Sequence, residues 1–119
     1  MVTSDLSARI NDVLRYVWIT RNMNAHMILS QALTLIAEDE DRLRAVEKEI
    51  YTPIADKTLR GPRAVQSTVR RASKVAWDFF PDRVQELAGY PLNGRPSAVA
   101  MLELLYNGVA RYDDLSILK

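Results

Sequence analysis

Cationic side chains are concentrated in one short stretch of the chain, and their types indicate what they can bind. Between residues 57 and 74 there are six cations and no acidic residue: Lys57, Arg60, Arg63, Arg70, Arg71 and Lys74. Guanidinium and ammonium groups bind phosphate oxygens, and arginine can also grip the edge of guanine. The net charge of +1 hides this stretch, because six acids against three bases lie between residues 38 and 49. We treat the stretch as a candidate nucleic-acid surface.

The residues from Pro62 to Phe79 have the period of an amphipathic helix. Apolar residues recur at steps of three or four and predict one buried stripe, made of Val65, Val69, Ala72, Ala76 and Phe79. The opposite side carries Arg63, Gln66, Ser67, Arg70, Arg71 and Lys74. Proline suits the first turn of a helix, where its missing N–H costs little. The sequence therefore predicts a helix over 62–79 with one cationic face.

A short helix and a tight turn are predicted immediately before this long helix. Thr52 suits an N-cap and Pro53 a first turn, while the apolar side would comprise Ile54, Ala55 and Leu59. The chain is then interrupted at Arg60-Gly61-Pro62, where Gly61 tolerates a positive φ. A basic face alone is most often only a solvated one. A short helix, a glycine-containing turn and a long basic helix together favour a DNA-binding helix-turn-helix, here over about 51–79.

The rest of the sequence predicts more helices and no sheet. We expect helices from Ser4 to about Trp18, from a cap at Asn24 to about Ala37, after the acidic run Glu38–Asp41, from Pro81 to Gly89, and from a cap at Ser97 to Tyr106 or Val109. No segment shows the sustained alternation of a strand. The expected fold is all-α, a compact bundle of about six helices forming a single domain over 1–119.

Composition excludes several classes of function. The 119 residues are 48% hydrophobic, enough for one domain with a core, and they include no cysteine and a single histidine, His26. Thiol catalysis and cysteine-based or histidine-rich metal sites are therefore excluded. We expect no enzyme, cofactor, metal or small-molecule substrate. No apolar run reaches about 18 residues and the start of the chain lacks a secretory signal, so we expect a cytoplasmic protein without a membrane partner.

The residues from 50 to 77 resemble one family of transcription factors. The correspondence comprises Ile50-Tyr51-Thr52-Pro53-Ile54-Ala55-Asp56-Lys57, Val65, Val69-Arg70-Arg71-Ala72, Val75-Ala76-Trp77 and, further on, Gly89-Tyr90. They resemble the C-terminal effector domain of the master response regulator of sporulation in endospore-forming bacteria. The resemblance implies an all-helical DNA-binding domain. Its recognition helix, residues 62–79 here, would enter the major groove of double-stranded DNA.

The resemblance also implies roles for single residues. The positions that reach bases fall on Ala64, Gln66 and Ser67, where the family usually has arginine, glutamate and arginine. Alanine and serine cannot grip guanine as arginine does, whereas glutamine can read adenine, so the target sequence is expected to differ. Our hypothesis is that bases are contacted by Arg63, Gln66 and Ser67. The DNA phosphates would be contacted by Lys57, Arg60, Arg70, Arg71 and Lys74.

Partners and regulation follow from the same resemblance. The family contacts RNA polymerase sigma factor after the recognition helix, at positions that here hold Asp82, Arg83, Gln85 and Glu86, all expected to be exposed. The family's phospho-receiver domain has no counterpart in this sequence, so we expect a stand-alone relative or part of a longer protein. A homodimer on DNA is plausible. The alternative function is a module that binds sigma factor or a related regulator without reading DNA; its cations would be covered or paired with acids.

Overall fold

The computed structural model describes the backbone of residues 2–115 and the side chains of residues 6–115. Its α-helices, in chain order, are α1 (Val2–Tyr16), α2 (Asn24–Glu38), α3 (Thr52–Thr58), α4 (Pro62–Phe79), α5 (Pro81–Ala88) and α6 (Ala98–Ala110). Short 3-10 segments occupy Glu40–Arg44 and Tyr112–Asp114, and a π-helical turn occupies Glu47–Tyr51. Within this part of the chain there is no strand, so the predicted compact all-α fold of six helices is confirmed.

The core is built around α2 and α6. Helix α6 packs against α1, α2, α4 and α5, and helix α2 also packs against α1 and α4. Among the side chains with no exposed surface are Leu29 and Leu33 of α2 and Leu102 and Leu105 of α6. Burying a leucine stabilises a fold by about 1.5–3 kcal/mol. This core supports the buried side of α4 and leaves its other side on the surface.

Of the caps predicted at Asn24, Thr52 and Ser97, only Ser97 is a cap in the structure, and the first helix does not begin at Ser4. Ser97 does cap α6, because its Oγ accepts a hydrogen bond from the backbone N–H of Ala100 at 3.1 Å. Helix α2 begins at Asn24 itself, after Met23, which supplies no side-chain cap. Helix α1 begins at Val2, ahead of Ser4. Thr52 has helical φ and ψ of −64° and −48°, because the preceding π turn runs directly into α3.

The predicted third helix is divided into two short segments. A 3-10 turn over Glu40–Arg44 is capped by the Asp39 side chain, which accepts from the N–H of Asp41. The π turn then continues into α3. Val46 and Ile50 are buried and Leu43 packs against the core. A π turn contains an extra residue, and the chain keeps both Ile50 and Ile54 buried across it.

Replacement by alanine is expected to destabilise the fold at Gly89 and to have little effect at Gly61. Gly89 ends α5, as predicted, with φ of 87°, and an added Cβ would lie 3.3 Å from Nη2 of Arg111. Gly89→Ala is expected to lower the free energy of unfolding by about 1–2 kcal/mol, because an L-residue is strained there. Gly61 has φ of −77° and open space around it. Gly61→Ala is the matched control and should stay within about 0.5 kcal/mol in urea unfolding; equal losses would contradict this assignment.

Candidate nucleic-acid interface

Helix α4 has the predicted bounds and a well-anchored inner side. Val65, Val69, Ala72 and Ala76 are buried as predicted, but Phe79 is 72% exposed, so the stripe ends one turn earlier. Two polar residues missed by the sequence analysis complete the buried side. The Oγ1 of Thr68 donates to the Ala64 carbonyl oxygen at 3.0 Å, and the Oγ of Ser73 donates to the Pro96 carbonyl oxygen at 2.9 Å. Both hydroxyls are therefore satisfied, which burial requires.

The turn before α4 differs from the prediction. Leu59, not Gly61, has the positive φ, at 58°, while Gly61 is extended and precedes the first turn of α4. Helix α3 ends by this left-handed residue, and the N–H of Arg60 returns to the Ala55 carbonyl oxygen at 3.2 Å. Leu59 was expected on the apolar side of α3, with Ile54 and Ala55. It is instead 94% exposed, because the left-handed turn carries it away from the buried side.

The six predicted cations form what we call the cationic surface: Lys57, Arg60, Arg63, Arg70, Arg71 and Lys74. All six side chains are exposed. Only Lys74 is in an ion pair among the described residues, with Asp78 at 2.7 Å; the other five have none there. In α4 the spacings of Arg63, Arg70 and Lys74 place them on one face. The DNA-binding hypothesis expects these cations to be exposed, and the alternative expects them to be covered or paired with acids; in the described residues all are exposed and only Lys74 is paired.

The expected base-reading residues lie on or beside this face. Arg63 and Ala64 are exposed, and Gln66 and Ser67 are half-buried. Neither Gln66 nor Ser67 forms a side-chain hydrogen bond in the described part of the chain. Ser67 stands four residues from both Arg63 and Arg71, so it is their neighbour on the helix surface. The Gln66 amide and the Ser67 hydroxyl are thus available to an external partner.

The π turn supports α4 from beneath. It packs against α4, and Tyr51 in this turn is buried. Burial raises the pKa of the Tyr51 phenol, and the nearby charge of Arg70 opposes that rise. The buried side of α4 therefore rests on a turn that is itself part of the core.

The segment after α4 is less accessible than predicted. Asp82 and Glu86 are exposed, but Arg83 and Gln85 are half-buried. Arg83 donates to the Tyr16 carbonyl oxygen at 2.9 Å, and its guanidinium lies 4.9 Å and 5.0 Å from the ring centres of Tyr16 and Phe80. Gln85 accepts from the N–H of Leu92 at 2.7 Å. The expectation that both are exposed is wrong, because each holds separate parts of the chain together.

The described residues show neither a cluster of metal ligands nor a membrane-spanning helix. Across residues 6–115 no three histidine, aspartate or glutamate side chains come together as they would around a metal ion. His26 is half-buried, with Nε2 3.0 Å from Oδ1 of Asn11. Burial lowers its pKa, and Arg21 lowers it further. No helix among the same described residues has both the length and the apolar character that crossing a membrane requires.

The class of protein that this fold and surface define is an all-helical DNA-binding domain. The order of α3, turn and α4 is consistent with a helix-turn-helix. The family model described as sporulation initiation factor Spo0A C terminal matches residues 10–109. The chain belongs to this family, which is the DNA-binding effector domain of Spo0A and is not an enzymatic one. Its function is therefore DNA binding in transcription regulation connected with sporulation.

Proposed function

We propose that this chain is a sequence-specific transcription regulator whose helix α4 lies in the major groove of DNA. The observation that carries the proposal is the cationic surface: six exposed cations, five of them without an ion pair in the described residues, on and beside a helix anchored by its other side. Phosphate contacts supply most of the affinity and orient the helix. We assign them to Arg70, Arg71 and Lys74, with Lys57 and Arg60 on the flank.

Sequence reading is assigned to the first turns of α4. The candidates are Arg63, Gln66 and Ser67, of which the last two have no internal hydrogen bond among the described residues. Arginine suits guanine and glutamine suits adenine. Ala64 and Ser67 offer no guanidinium group at the positions where the family usually has arginine. We therefore propose a target sequence different from that of typical family members.

Replacing Gln66 by alanine is expected to change sequence preference at one base pair. A bidentate amide contact discriminates between bases by about 1–3 kcal/mol, so preference at the adenine position should fall by that amount. Binding to unrelated sequences should change little. The measurement is a competition titration of the selected duplex against its single-base variants. If the discrimination is retained at every position, Gln66 does not face a base.

The ion pair of Lys74 gives a second test. Asp78 holds the Lys74 ammonium at 2.7 Å and places a negative charge beside the cationic surface. Asp78→Asn is expected to strengthen binding to any duplex about two- to fivefold, within the range of exposed ion-pair energies. Asp41→Asn is the matched control, since it also removes an exposed aspartate from an ion pair, with Arg44 at 4.0 Å, in the 3-10 segment Glu40–Arg44. Anisotropy titrations that show weaker binding of Asp78→Asn would place α4 differently.

Contacts with other proteins rest on fewer residues than the sequence suggested. A sigma-factor contact on α5 would use Asp82 and Glu86, because Arg83 and Gln85 are engaged within the fold. Pairing of two domains on adjacent DNA sites would raise affinity through effective concentration. Both remain proposals. The alternative of a module that does not read DNA is disfavoured by the exposure of the cationic surface.

A further inference from the structure

Leu59 is the most unusual residue of the turn between α3 and α4. Its side chain is 94% exposed, the largest value among the exposed large hydrophobic residues of the described chain. Its φ of 58° lies in the left-handed region, which residues other than glycine, asparagine and aspartate rarely adopt. Trp18 is the other described non-glycine residue with positive φ, and its ring stacks on Phe80. No such internal contact accounts for Leu59.

The fold does not need leucine at this position. The end of α3 requires a left-handed residue, which glycine or asparagine supplies with less strain. A leucine that remains exposed gains nothing from burial in the core. The hydrophobic side chain is thus unfavourable for the isolated domain on two counts. We therefore look for a binding partner of the domain that contacts the Leu59 side chain.

The surroundings of Leu59 favour DNA as that partner. Lys57 lies two residues before it, Arg60 directly after it and Arg63 four residues after it. All three are exposed and have no ion pair in the described residues. A partner that covers Leu59 therefore also meets three positive charges, which suits a polyanion. The turn also adjoins the N-terminal end of α4, the end assigned above to base reading.

We propose that Leu59 is a direct DNA contact that packs on the methyl group of a thymine; this rests on the proposed function. The major groove displays hydrogen-bonding atoms on every base pair, but the 5-methyl group of thymine is its apolar feature. A leucine at the edge of the groove therefore gives specificity for an A·T pair and not merely affinity. The contact would add a specificity-determining residue outside the recognition helix.

The test uses Leu59→Gly and Leu59→Asn, both of which tolerate the left-handed conformation. Thymines of the selected duplex are replaced one at a time by deoxyuridine, which lacks only the methyl group. At one thymine the unmodified protein should lose about fourfold in affinity, the value of one buried methyl-sized group. Both variants should bind the original duplex at least fourfold more weakly and show no further loss at that thymine. Their melting temperatures should equal or exceed that of the unmodified protein.

Separate outcomes identify which proposal fails. Arg70→Ala is measured beside the variants as a phosphate-contact control. If Arg70→Ala weakens binding while both Leu59 variants bind as the unmodified protein does, the Leu59 contact is overturned and the proposed function stands. If the variants bind weakly but retain the same deoxyuridine loss, Leu59 does not contact a thymine methyl and this proposal is again overturned. If the unmodified protein shows no salt-sensitive binding, both proposals are overturned.

Discussion

Removing Arg70 and Arg71 together is expected to weaken binding to every DNA duplex about a hundredfold, whatever its sequence. A hydrogen bond to a charged group contributes about 1.5 kcal/mol, or about tenfold in affinity, and each arginine is assigned one phosphate. The slope of log affinity against log salt should also fall by about two, since each phosphate contact contributes about 0.9. Anisotropy titrations of Arg70→Ala/Arg71→Ala at several salt concentrations measure both quantities. Folding should be unaffected, because both side chains are exposed.

Arg44→Ala is the control for the loss of one surface arginine, half of the charge that the double variant removes. Arg44 is exposed and lies in the 3-10 segment Glu40–Arg44, which packs against α2 and the π turn. Its removal takes away one arginine charge without touching α4, so affinity and salt slope should change far less than in the double variant. A double variant that matched Arg44→Ala would contradict the assignment of α4 to the phosphate backbone. Loss on one sequence alone would also contradict it.

Truncating Ile54 is expected to destabilise the fold more than any of the surface substitutions. Ile54 in α3 is 1% exposed, and α3 packs against α2 and α4. Ile54→Ala should lower the free energy of unfolding by about 2–5 kcal/mol, because it removes buried methyl groups and leaves a cavity. It should also loosen α3 against α4 and so weaken DNA binding. Urea unfolding gives the stability change.

Leu59→Ala is the control for the stability change of Ile54→Ala, whereas its DNA binding is expected to fall through loss of the proposed thymine contact. It removes a side chain of the same composition only five residues away, but this one is 94% exposed. Its cost should therefore stay within about 0.5 kcal/mol, the range of ordinary surface substitutions. Similar losses for the two variants would mean that α3 does not pack on the core through Ile54.

Local signals in the sequence were sufficient for the helix that matters most. Pro62 and the apolar steps from Val65 to Phe79 predicted α4 with its observed bounds, although Phe79 itself is exposed, because the first turn and the period are properties of the helix itself. The exposure of Arg63, Arg70, Arg71 and Lys74 followed from the same period, whereas Lys57 and Arg60 lie outside this helix. The pairing of Lys74 with Asp78 was also readable, since residues four apart meet on a helix. The prediction did not include this ion pair, because the cationic stretch ends at Lys74, four residues before Asp78.

The errors arose where distant parts of the chain decide the outcome. Arg83 is held by the carbonyl oxygen of Tyr16, 67 residues earlier, and no local pattern announces that contact. Ser73 is buried for a similar reason, since its acceptor belongs to Pro96. Leucine rarely adopts the left-handed conformation that Leu59 has, so the sequence predicted a positive φ at the nearby Gly61 instead. That mismatch between residue and backbone is also what singles out Leu59 as a candidate contact.

The central claim is that α4 reads DNA, and one titration addresses it most directly. Fluorescence anisotropy is measured with a random duplex pool at two salt concentrations, and the bound fraction is selected and sequenced. Helix α4 in the major groove predicts binding that weakens steeply with salt and a bound fraction enriched in one short motif. Absence of binding even at low salt would contradict the claim. Binding without enrichment would leave the phosphate contacts standing but contradict sequence reading by α4.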